Sequence, residues 1–189
     1  MTNFRRGFKS WCESTAIQYR TVLGLEPTRP LPASKLAAHL RVRVLEIENV
    51  PGLPQAALVQ LTKRDADSWS AVMVTHRGIN VVVMNTTHPP GRRSSSLAHE
   101  CSHVILNHKP AQVIPSPGGI LVSSYDRQQE DEADWLAGTL LLPRVALLTI
   151  GQQGVNFREH AREYGVSEDM LRMRLDRTGV TLQMRRRTG

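Results

Sequence analysis

Long apolar runs are missing from this chain of 189 residues. No stretch reaches eighteen apolar residues, which excludes a transmembrane helix. The amino terminus, Met1-Thr2-Asn3-Phe4-Arg5-Arg6, lacks the apolar core of a signal peptide. Cysteine is scarce. Cys12 and Cys101 stand far apart, which argues against a disulfide framework and for buried thiols in a reducing compartment. The expected location is therefore cytoplasmic. Aromatics are only 5% of the chain, so the core must be built from Leu, Val, Ala and Ile. Internal repeats and low-complexity tracts are also absent.

What is present is a hydrophobic content of 40%, enough for a real core, and a formal net charge of +7. The length suits one domain, or one with a small appendage. Residues 1–110 hold 14 basic and 7 acidic side chains, residues 111–157 hold 2 and 5, and residues 158–189 hold 8 and 5. Positive charge thus lies at both ends, with an acidic cluster between. Such a balance suits nucleic acid or an acidic partner, and equally a solvated surface.

Phe4, Phe8, Trp11, Thr15, Tyr19, Val22 and Leu23 recur at helical spacing and predict a long helix ending near Gly24. Pro27, Pro30 and Pro32 break the chain. A short helix is expected over 34–40 and a strand over 42–47, where apolar and charged residues alternate. Residues 55–62 fit either element. Two β-branched runs, 69–75 and 79–85, flank His76-Arg77-Gly78 and predict a hairpin. Residues 85–93 read as a loop, and 114–119 as a flexible linker.

The stretch around which the chain is organised is His99-Glu100-Cys101-Ser102-His103, which reads H-E-x-x-H. Leu97, Ala98, Val104, Ile105 and Leu106 give it the flanks of a buried helix, and Ser94, Ser95 and Ser96 offer N-caps. Histidines four apart share one helical face and can hold one zinc at about 2.0–2.1 Å each. Glu100 points to the rim of that face, where it can take a proton from the attacking water. This is the arrangement of a zinc peptidase.

Such a zinc needs another protein ligand. Position 109 is Lys and 106 is Leu, which excludes the extended metzincin pattern. His108 falls about half a turn from His99 and reads as a surface or cap residue. Glu130, Ala133, Asp134, Ala137 and Leu141 form one helical stripe. A carboxylate heading a small, apolar stripe is costly to bury unless paired or bound to metal. Glu130 is therefore the expected third ligand, with Glu132 in reserve. Asp134, one turn on, can accept the other N–H of a ligating histidine. Val81, Val82, Val83 and Met84 are the expected substrate-binding strand, pairing with peptide backbone by strand addition.

The stretches Leu97–His108, Glu130–Pro143 and Tyr164-Gly165-Val166-Ser167 through Arg174-Leu175 together resemble the ImmA/IrrE metallopeptidase family. The resemblance implies an α+β, zincin-like (gluzincin-like) core with His99, His103 and Glu130 as ligands of one Zn2+ per chain and Glu100 as base. It also implies a helical, helix-turn-helix-like segment after the core, and a DNA-binding repressor as the protein substrate. Family members often have Asn where Asp134 stands and Phe where Leu136 stands.

The expected organisation is a core over 1–150 and a C-terminal helical segment over 151–189. Within the latter, helices over 157–164 and 167–177 are joined by Gly165-Val166, and Arg185–Arg187 forms a mobile basic tail. Arg172, Arg174 and Arg177 could face phosphates. Two acids opening the second helix argue against sequence-specific DNA binding. A metalloendopeptidase is the first reading. The alternative is a non-proteolytic, antitoxin-like regulatory module that binds DNA or a partner protein.

Overall fold

A computed structural model of the protein describes residues 4–109, 112–116 and 120–188. The architecture is mixed α+β. Helix α1 spans Phe8–Val22 and α2 spans Ala33–His39. Strand β1 covers Arg43–Glu46, β2 covers Ala71–His76 and β3 covers Ile79–Met84. Between β1 and β2 the chain forms short helical turns, including α3 over Gln55–Val59. Helix α4 spans Pro90–Ile105, and strands β4, Gln112–Ser116, and β5, Ile120–Ser124, follow it. Helices α5 to α9 cover Arg127–Leu141, Arg144–Gln153, Phe157–Tyr164, Glu168–Arg177 and Val180–Thr188. Among the described residues no single helix is long and apolar enough to cross a membrane.

The strands form one sheet in the order β1-β3-β2-β5-β4, antiparallel except for the β1–β3 pair. The β2–β3 hairpin turns through Arg77 and Gly78, both at positive φ (50° and 76°), as a two-residue type I′ turn requires. Alternation along the strands sorts side chains onto two faces. Val82, Met84 and Met73 join the main core with α1, α2, α4 and α5, whereas Val83 and Val74 join a smaller cluster with Ile47, Leu58, Leu61 and Trp69.

Several expectations are corrected. Helix α1 begins at Phe8, because Gly7 is left-handed (φ 81°) and turns Phe4 back onto the Phe8 ring. The loop expected through Arg93 ends at Pro89. Pro90 takes the first helical position, where its missing N–H loses nothing, and the serines lie inside the helix. Ser95 and Ser96 donate to the carbonyls of Gly91 and Arg92 and cap nothing. Part of the expected linker is strand β4, with Pro115 tolerated on a sheet edge, and 117–119 lie outside the described residues. Helix α6 runs through residue 150, and apolar side chains from Phe8 to Val180 share one core, which leaves the division into 1–150 and 151–189 neither corrected nor supported. The basic stretch 185–187 continues α9.

Val81–Met84 cannot accept a peptide strand. Its backbone is paired with β1 on one side and β2 on the other. The period-2 pattern identified a strand but carries no information on its neighbours. The open backbone lies elsewhere. Pairing of β2 with β5 covers only Val74–His76, so Ala71–Met73 has no ladder partner on that side among the described residues.

Candidate metal centre

Helices α4 and α5 build the centre together. Helix α5 is set by a capping box: Gln129 N donates to Asp126 Oδ1 at 2.9 Å, and Asp126 N donates to Gln129 Oε1 at 3.3 Å. The Gln129 amide also donates to the Lys109 carbonyl at 3.0 Å. The start of α5 is thereby tied to the chain just past α4.

Three ligand atoms converge between the helices. His99 Nε2 and His103 Nε2 are 3.0 Å apart. Glu130 reaches His99 Nε2 at 3.1 Å through Oε2, and His103 Nε2 at 3.8 Å through Oε1. Ligands at about 2.0–2.1 Å around a tetrahedral zinc stand about 3.3 Å from one another. The observed separations bracket that value, and two imidazoles plus a carboxylate suit a borderline divalent ion. The residues present therefore fit a metal.

The outward nitrogens of the two histidines are both engaged. His99 Nδ1 lies 2.9 Å from Asp134 Oδ1. His103 Nδ1 lies 3.0 Å from His108 Nδ1, and His108 Nε2 lies 3.3 Å from Glu132 Oε2. His108 is thus no surface residue, and Glu132 serves it instead of the ligand cluster. The His103 ring also stacks on Tyr125, with centroids 3.7 Å apart and 17° between planes.

Charge follows from this crowding. Burial opposes a proton on His99, but the bonds to Asp134 and Glu130 outweigh it and raise its pKa to about 10. Burial and the adjacent His99 charge push His103 down to about 3. Without an ion, the pair therefore carries one positive charge in the neutral range, held on His99. The His99 bond holds the Glu130 carboxyl below the usual carboxylate range. Burial, with the Glu130 charge adding to it, pushes Glu100 up to about 7.

These groups line a cleft of about 440 Å3. One wall is the start of β2, Ser70 to Met73. Ser95 and Ser96 from α4 and Met170 from α8 also line the cleft. The carboxylates are less buried than the stripe argument assumed. Glu130 is 45% exposed and Asp134 73% exposed, so both face an open groove.

Arg174 is not available to phosphates. It is 2% exposed, donates to the Leu142 carbonyl and pairs with Glu13 at 3.1 Å. Arg172 lies over the Phe157 ring at 4.0 Å.

A sequence profile described as the IrrE N-terminal-like domain, peptidase M78, matches residues 56–176. No curated protein matches the chain. In fold it is similar to a solved Mycobacterium tuberculosis transcriptional regulator, with a TM-score of 0.52 and 16% identity. The likeness covers 88% of this chain and 46% of that one, so this chain spans about half its length.

Proposed function

The chain belongs to the IrrE N-terminal-like, peptidase M78 family, and on that premise we propose that it is a metal-dependent endopeptidase acting on a partner protein. The observation that carries the reading is the convergence of His99, His103 and Glu130 in one open cleft with Glu100. His99, His103 and Glu130 would hold a zinc ion. When bound, the ion supplies Lewis acidity toward the scissile carbonyl and acidifies the attacking water. Glu100 accepts the proton of that water and returns it to the leaving amine. Asp134 holds the His99 ring by accepting its Nδ1–H. The peptide lies along Ala71–Met73, which line the cleft and have no ladder partner on the β5 side among the described residues.

We read the sheet with α4 and α5 as a zincin-like core, and α7 and α8 as a helix-turn-helix-like pair that closes the cleft. The buried Arg174 and the placement of Met170 in the cleft favour that closing role over DNA contact. Membership of the family supports a DNA-binding repressor as the substrate.

The test is incubation of the metal-loaded protein with candidate repressors encoded near its gene. Glu100→Gln should retain metal and lose about 10²–10⁴-fold in cleavage rate. Cleavage by this variant at the wild-type rate would remove Glu100 from the mechanism. Cleavage of no partner by the wild type, with partner binding intact in both proteins, would favour the regulatory-module reading.

A further inference from the structure

We propose that His108 is a positioning residue of the metal centre, locking His103 in its ligating tautomer and passing the constraint to Glu132. The inference rests on the reading of His99, His103 and Glu130 as ligands.

The backbone creates the contact. After Ile105, helix α4 ends with Asn107 left-handed at φ 53°. Asn107 N donates to the Val104 carbonyl at 3.1 Å, and His108 N donates to the His103 carbonyl at 3.0 Å. This paired reversal is a Schellman ending, which brings the second residue past the cap over the residue five before it. That contact is usually apolar. Here it joins two imidazoles, 5.1 Å between centroids, with the side chains of both nearly buried, 1% for His103 and 7% for His108.

Proton placement in the chain has one consistent direction. His103 offers Nε2 to the ligand cluster, so its proton is on Nδ1. That N–H faces His108 Nδ1, which must accept. The proton of His108 is then on Nε2, where it donates to Glu132 Oε2. The other Glu132 oxygen accepts from the Gln128 amide at 3.2 Å. Each link has a donor and an acceptor, and the chain ends on a carboxylate fixed from a second side. His99 has its carboxylate directly, in Asp134; His103 reaches one through an intervening ring. Groups that orient a ligating histidine in this way fix its ring and raise its basicity.

The experiment is zinc affinity by chelator competition, with the absorption spectrum of the cobalt-substituted protein, on wild type, His108→Phe and His108→Asn. Phe keeps the ring packing and removes the acceptor. Asn restores an oxygen acceptor near the Nδ1 position. His108→Phe should bind zinc about 10- to 100-fold more weakly and shift the cobalt bands. His108→Asn should recover part of both. Glu132→Ala, at the far end of the chain, should weaken binding in the same direction by a smaller factor, and it carries the test if His108→Phe fails to fold. Wild-type affinity and spectrum in His108→Phe, or equal losses in the folded Phe and Asn variants, would overturn the positioning role and leave the metallopeptidase reading standing. In the fallback case, unchanged affinity in Glu132→Ala would overturn it. A wild type that binds no zinc would overturn both.

Discussion

Burial holds the Cys12 thiol neutral. The side chain has no exposed surface, and burial, with the Glu13 charge adding to it, pushes its pKa from 9.0 to about 12. The folded state therefore favours the protonated form, whereas the unfolded chain releases the proton more readily. The thiol's contribution to stability is whole below pH 9 and is lost as pH rises from about 9 toward 12. Denaturant unfolding at pH 8 and pH 10.5 should show that loss, and Cys12→Ala should reduce it without removing it, because burial pushes the Cys101 thiol up to about 12 as well. Cys101 is equally buried, on the inner side of α4. Neither native thiol should react with a water-soluble disulfide reagent until denaturant is added.

At the level of elements, the junction between α4 and the α7–α8 turn is, among the described residues, where a glycine with ordinary backbone angles comes closest to another segment's backbone. A Cβ on Gly91 would stand 2.6 Å from the carbonyl carbon and 2.8 Å from the carbonyl oxygen of Val166, and 2.9 Å from Ser167 N, all backbone. Gly91→Ala should therefore cost about 1–3 kcal/mol, read as a lower denaturation midpoint, and should loosen α8 against the cleft. Protease nicking near Gly165 would report that loosening. The glycine was visible in the sequence, but it read as part of a loop. Elements with strong periodicity were legible: α1, the β2–β3 hairpin, and the two helices carrying His99, His103 and Glu130 lie close to their expected places. What was not legible depends on how elements meet. His108 was placed by continuing the helix, and the left-handed Asn107 reverses the chain at that point. Glu130 was chosen by an argument from burial that its 45% exposure does not support; its spacing from Asp134 was the sounder sign. Arg174 fits a solvated helix face as well as a buried one until the position of Glu13 is known.

For the whole molecule, two ligands on α4 and one on α5 mean that an ion would join the two helices most intimately packed in the fold. Zinc at 100 times its Kd should raise stability by about 2.7 kcal/mol, seen as a higher Tm, and a chelator should abolish the gain. Glu130→Ala should show little of it. A wild type whose Tm is unmoved by zinc would count against the site. The pairing of Glu13 with Arg174 also has a consequence in time. These residues are 161 positions apart, and the cleft is lined by residues from both halves of the chain, Ser70–Met73 from one and Met170 from the other. During synthesis the motif helix emerges from the ribosome well before Glu130 and Met170, which line the same cleft. On the proposed reading, a nascent chain that ends before α8 holds His99, Glu100 and His103 without the finished cleft, and cleavage of a partner would await completion of the fold.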